Sequence, residues 1–184
     1  MRRLHRLKIV QSIGLALLLL LSACSWNMPA QQQTMSKQQS SAIGPYSNFS
    51  GRLIVIDPSR RWQVSVDWQA DKAESGKLRL SHAFSSTVVD FRWTDAYMEI
   101  RDSKFPYWRH IEQQELTEHG IMLPPIQLAS ILLGNIPSHF HEKKQNTWES
   151  MDSGDLIRLH WQAESRKLTI SDLKHGRIAK LIIQ

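Results

Sequence analysis

The sequence predicts an α+β protein built on an antiparallel sheet, and three observations lead there. Residues Trp62 to Gln69 alternate apolar and polar without a break, the period of a strand with one buried face. Short runs of similar character, separated by turn residues, lie on both sides of the chain's middle. Between the two groups sits a single strongly apolar helical segment. Strands, helix, strands is the order of an antiparallel sheet carrying few helices.

The first group begins at Gly51-Arg52-Leu53-Ile54-Val55-Ile56, closed by Asp57-Pro58-Ser59. In the next strand Trp62, Val64, Val66 and Trp68 share one face, and Gln63, Ser65, Asp67 and Gln69 the other. Asp71 to Gly76 turns the chain, and Lys77–Leu80, Thr87–Trp93 and Ala96–Arg101 continue an antiparallel meander. Ile111 to Glu118 has helical composition but weak periodicity. Pro124-Pro125 then opens a short apolar helix, Ile126 to Leu133, because proline suits a first helical turn. Gly134-Asn135 and Pro137 stop it. Trp148–Met151, Leu156–Gln162, Lys167–Ser171 and Ile178–Ile183 form the second group, turned by Ser153-Gly154-Asp155 and His175-Gly176.

The N-terminus has a different task. Arg2, Arg3, Arg6 and Lys8 precede an apolar run, Ile13 to Leu21, and then Leu21-Ser22-Ala23-Cys24. That is the layout of a secretory signal peptide, and the run is shorter than the roughly 20 residues of a membrane-spanning helix. The cysteine behind two small residues resembles a bacterial lipobox. The resemblance implies cleavage before Cys24 and acylation of that residue, including palmitate. Ser25 in place of an acidic residue implies transport to the outer membrane.

Three segments are therefore expected: a signal peptide over 1–23, an acylated flexible tether over 24–47, and a folded domain over 48–184. The tether is assigned from Gln31-Gln32-Gln33, Gln38-Gln39-Ser40-Ser41 and Gly44-Pro45, a composition too polar to offset its ordering entropy. The signal contributes four of the 23 Lys and Arg residues and none of the 17 acids. The rest of the chain is close to neutral, so the basic balance gives no support to nucleic-acid binding, which needs clustered cations. With its single cysteine acylated the domain has no disulfide and holds together by packing.

In their order, several segments resemble the LolB family of outer-membrane lipoprotein receptors and the wider LolA/LolB fold. They are Phe49-Ser50-Gly51-Arg52-Leu53, Asp67-Trp68-Gln69, Leu78-Arg79-Leu80, Ser86-Thr87-Val88-Val89, and Leu123-Pro124-Pro125-Ile126-Gln127-Leu128 through Leu133-Gly134-Asn135-Ile136-Pro137. The chain departs from the family pattern in having no Trp in the proline helix, where Ile131 or Leu132 stands, and in ending Ile182-Ile183-Gln184. The resemblance implies a strongly curved antiparallel sheet, a half-open barrel, with short helices covering its concave face. It implies an outer-membrane lipoprotein that faces the periplasm and receives acylated lipoproteins from a LolA-type carrier. The receptor would work as a monomer, without cofactor, metal or catalytic residues.

An acyl-chain cavity is expected along the apolar faces of the strands, from Trp62, Val64, Val66 and Trp68, then Val89, Phe91 and Trp93, and Leu159 with Trp161. Leu128 and Leu132 are expected to close it from the helix. The same residues would serve equally as ordinary core. Phe84 is the one large apolar residue in the polar turn Ser81-His82-Ala83-Phe84-Ser85-Ser86. By resemblance this turn matches the loop that inserts into the membrane, and the alternative is a Phe folded back on the sheet edge. Arg52, Arg60 and Arg61 are candidates for lipid headgroups or an acidic carrier. His139 and His141 have metal-ligand spacing without a third ligand, and read as a solvated loop. His110 and His119 read as surface residues.

Two other functions fit the same features. One is a lipoprotein carrying a different amphiphile, such as a glycolipid or polyene-linked lipid. The other is a structural accessory lipoprotein with a filled core. An enzyme is the least supported class: no Gly-rich phosphate loop, hydrolase elbow or carboxylate pair stands out.

Overall fold

A computed structural model describes residues 43–82, 85–152 and 155–184. Eleven strands form one antiparallel sheet: β1 (Asn48–Asp57), β2 (Arg60–Lys72), β3 (Ser75–Ser81), β4 (Val88–Trp93), β5 (Met98–Asp102), β6 (Arg109–His110), β7 (His141–Lys144), β8 (Thr147–Asp152), β9 (Asp155–Gln162), β10 (Lys167–Asp172) and β11 (Arg177–Ile183). Helices α1 (Gln113–Glu118) and α2 (Pro125–Leu132) lie between β6 and β7. The strand order is β6-β5-β4-β3-β2-β1-β11-β10-β9-β8-β7. The two chain halves meet where β1 pairs with β11, and the sheet stays open between β6 and β7.

The alternation read from the sequence becomes two faces. Leu53 and Val55 of β1, Val64, Val66 and Trp68 of β2, and Leu78 and Leu80 of β3 are buried, while their neighbours in β2 face water. Across the junction, Leu181 and Ala179 of β11, Leu168 and Ile170 of β10, and Leu159 and Trp161 of β9 are buried too. Leu116 of α1 and Ile131 and Leu132 of α2 join that same core with no exposed surface. The helical segment thus covers the apolar face, as a one-sided sheet requires.

The outer face carries cross-strand ion pairs. Asp90 accepts from Arg79 on β3 at 2.7 Å and from Arg101 on β5 at 3.0 Å, in register. The two guanidinium groups hold its carboxyl below the usual range, Arg79 foremost. Arg92 meets Glu99 at 2.5 Å, and Trp108 lies under both Arg92 and Arg101. Such exposed pairs set register more than they add stability.

Three segments differ from the sequence reading. Residues 43–47, assigned to the tether from their composition, pack on the domain. Ile43 is wholly buried, and the Tyr46 N–H donates to the Leu132 carbonyl at 2.7 Å. Two isolated residues are enough to dock a segment whose average composition is polar. The second difference is β6, two residues long and invisible to any period. The third is β7, where all four residues, His141-Glu142-Lys143-Lys144, are exposed. As an edge strand it has little to bury, and its charges discourage further pairing.

Candidate functional site

Antiparallel connectivity sorts the loops to two ends. The β1–β2, β3–β4, β5–β6, β8–β9 and β10–β11 connections lie at one end, here the mouth. The β2–β3, β4–β5 and β9–β10 turns lie at the other.

The far end is packed with aromatic rings beneath an open recess of about 430 Å³ between the β2–β3 and β4–β5 turns. Phe49, Trp68 and Trp93 stack in sequence, with ring centroids 6.1 and 5.1 Å apart. Trp93 Nε1 donates to the Ala73 carbonyl at 3.0 Å, fixing the indole under the β2–β3 turn. Tyr46 packs on Trp161 at 5.7 Å. Helix α2 belongs to this plug. Pro125, Leu128, Ala129, Ile131 and Leu132 are buried, and the Leu132 carbonyl is taken by Tyr46.

The mouth is built differently. An apolar hollow of about 190 Å³ lies inside the sheet, lined by Trp62, Val64, Leu80, Val89, His82 and His119, with Ser85 and Thr87 at its edge. The turn after helix α1 forms its roof, through His119 and the Gly120 backbone lying on Trp62. Gly120 adopts φ +83°, a conformation that favours glycine. A Cβ there would overlap Val55 and come within 2.8 Å of the Trp62 ring. The glycine therefore allows the backbone to lie directly on the sheet's tryptophan. His119 is half-buried and meets Phe91 edge-on at 5.6 Å. Burial pushes its imidazole below the ordinary 6.5, against the pull of Glu115, Glu118 and Asp102. Both guanidinium nitrogens of Arg109 on β6 engage Glu115 of α1. A second, polar recess of about 380 Å³ separates α1 from the opposite rim, lined among others by Asp57, Arg60, Gln113, Asp172 and Arg177.

Of the residues expected to line an acyl cavity, the structure brings Trp62, Val64 and Val89 to this hollow. Val66, Trp68, Phe91, Trp93, Leu128, Leu132, Leu159 and Trp161 are buried in core packing. Sequence reasoning missed Leu80, His82 and His119. His119 reads as surface in the sequence, but the turn at Gly120 folds it inward; a His-Gly pair after a short helix is the signal that could have found it. His110 is exposed, as read. His139 hydrogen-bonds Gln127 of α2 at 3.1 Å, and His141 is exposed on β7. Arg52 and Arg61 are exposed on the sheet, and Arg60 lies at the mouth. Cys24 and Phe84 lie outside the described residues.

An apolar cavity of ~150 Å³ holds a guest the size of benzene. The hollow therefore accommodates a piece of an alkyl chain with α1 where it stands. Admitting a whole chain requires the roof to move.

The family model described as outer membrane lipoprotein LolB matches residues 47–171. The outer-membrane lipoprotein LolB of Tolumonas auensis is 26% identical over 133 residues, spanning 70% of this chain and 68% of that protein. The crystal structure of a LolA superfamily protein from Nitrosomonas europaea superposes with a TM-score of 0.45 at 9% identity, covering 79% of this chain and 87% of that one.

Proposed function

The chain belongs to the outer membrane lipoprotein LolB family, and from that premise we propose that it receives acylated lipoproteins from a LolA-type periplasmic carrier and places them in the outer membrane. It is held there by acyl chains on Cys24 and faces the periplasm. Each methylene of a client's acyl chain in water costs about 0.8 kcal/mol, so the chains travel covered. The observation that most supports this reading is the apolar hollow beneath the His119 turn, lined in part by Ser85 and Thr87 of the β3–β4 connection.

Transfer needs only a gradient. A cavity that binds the chains ~1.4 kcal/mol better than the carrier biases passage tenfold. Opening lifts α1 with the His119-Gly120 turn from Trp62 and extends the hollow. Delivery follows because a bilayer buries the chains more fully than a half-open sheet does. Phe84 then enters the lipid interface, where aromatic side chains are favoured.

The test is uptake of a dansylated, acylated peptide from the carrier, followed by its release into vesicles. The parent chain is expected to do both. Val64→Phe fills the hollow and is expected to abolish uptake with folding retained. Phe84→Glu is expected to leave uptake intact and stop release. A parent chain that takes no acylated peptide overturns the reading. So does a depletion that mislocalises one glycolipid and leaves lipoproteins in place.

A further inference from the structure

Single exposed apolar residues scattered on a surface are ordinary; their segregation to one end is not. Among the described residues, six large apolar side chains are notably exposed: Tyr97, Phe105, Tyr107, Ile126, Met151 and Leu173. Four of these six lie in or beside the connections at the mouth. Phe105 (38% exposed) and Tyr107 (63%) stand in the β5–β6 loop. Met151 (81%) adjoins the β8–β9 turn, and Leu173 (41%) sits in the β10–β11 turn. In the sheet order these loops fall on opposite sides of β1, so the apolar residues flank the mouth from both sides.

The β5–β6 loop is built to present its aromatics. Asp102 Oδ1 accepts the N–H groups of Lys104 and Phe105, each at 2.7 Å. The Asp102 N–H returns a bond to the Phe105 carbonyl at 3.0 Å. The Ser103 N–H donates to Val88 at 3.2 Å, fastening this loop to the start of β4 beside the β3–β4 loop. A loop already ordered loses little entropy on contact. The Lys104 ammonium lies 5.3 Å from the Phe105 ring. An aromatic beside a lysine is the pairing found at membrane–water interfaces. Two of the rim's carboxylates are engaged locally, Asp57 by Arg177 at 3.1 Å and Asp172 by His175 at 2.7 Å. Lys104 and Arg60 add cations at the mouth that suit anionic headgroups.

We propose that the β5–β6 and β10–β11 connections and the end of β8 together form a membrane-contact face, on which the chain rests mouth-down on a phospholipid bilayer. Phe105 and Tyr107 are seated on one flank, and Met151 and Leu173 on the other. The proposal rests on the reading that clients are delivered to a bilayer, and adds the orientation of delivery. An acyl chain leaving the hollow then meets lipid directly, because the opening and the apolar rim face the same way.

The test uses the full lipidated chain anchored in vesicles of phosphatidylethanolamine and phosphatidylglycerol. A nitrobenzoxadiazole probe is attached at Tyr107→Cys, Leu173→Cys or Tyr97→Cys, the last at the far end, with the parent chain labelled in parallel as the blank. Brominated phospholipids are expected to quench the probes at 107 and 173 several-fold more than the probe at 97. Equal quenching at all three positions overturns the proposal, as does quenching at 107 without quenching at 173. A Phe105→Ser/Leu173→Ser chain is expected to lose release several-fold while uptake from the carrier stays within twofold. Loss of uptake instead would make the rim a carrier-docking surface and overturn the proposal. If the parent takes no client at all, the receptor reading fails, while the probe depths still decide the orientation.

Discussion

The two helices between β6 and β7 do opposite things with the same core. Helix α2 buries five of its eight residues, and its last carbonyl is closed by Tyr46 from the N-terminal segment. Helix α1 has six residues and buries one, Leu116. Neither helix has a side-chain cap, but in α1 the Gln113 amide oxygen is also buried without a partner. A helix so short has little stability of its own, and an unpaired buried oxygen costs more than a bond returns. What holds α1 is Leu116, the contact of Gly120 with Trp62, and the Arg109–Glu115 pair. The fold can therefore open at the mouth, by release of α1, whereas α2 is held in the core.

The comparison breaks most severely in the core. Ile131→Ala is expected to lower global stability by about 2–5 kcal/mol, seen as an earlier denaturant midpoint. Leu116→Ala removes a side chain as completely buried, yet its effect is expected to concentrate in α1. Amide exchange should accelerate over residues 113–122 and change little in α2. Equal acceleration in both helices would mean that they move as one body.

Gly120→Ala is the next largest. Its Cβ overlaps Val55 and crowds Trp62 in a backbone conformation that alanine resists, a penalty on the order of 1–3 kcal/mol. The expected result is a displaced roof, a more accessible Trp62 and faster uptake of an acylated peptide, read by tryptophan quenching and binding kinetics. Unchanged Trp62 quenching would show that α1 does not close the hollow.

Glu115→Gln sharpens the comparison gently. Both partners of the Arg109 pair are about one-third exposed, so its loss is expected to cost at most about 1 kcal/mol. The cost should appear in α1 exchange and not in the global midpoint.

The smallest effect is that of pH. Burial holds the folded-state pKa of His119 below the ordinary 6.5. Between those two values the unfolded chain binds the proton that the folded chain refuses, so stability falls as the pH drops through about 6.5. The mouth is expected to loosen between pH 7 and pH 5, seen as a rise in α1 exchange. His119→Gln should flatten that rise.

Most of the fold was legible because strands announce themselves by period. Trp62 to Gln69 needed no partner to show which face was buried, and nine of the eleven strands carried enough alternation or apolar length to be located. β6 and β7 were not, since a two-residue strand has no period and His141-Glu142-Lys143-Lys144 buries nothing. Ile43 and Tyr46 were hidden because composition averages over a segment, while docking depends on single side chains.

The site was less legible than the fold. Which apolar residues line a hollow and which fill a core depends on where the roof lies, and inward-facing valines look alike in sequence. Val64 lines the hollow and Val66 is packed over because α1 and Gly120 come down at one end and α2 at the other. Local chemistry alone specified the sheet, its buried face, the apolar helix and the family, since period, turn chemistry and motif order are local. Long-range packing set the rest: the mouth stays partly open, His119 faces inward, and four exposed apolar residues share one rim. Those are consequences of distances between segments far apart in the chain, set by the pairing of β1 with β11 and the descent of two unequal helices.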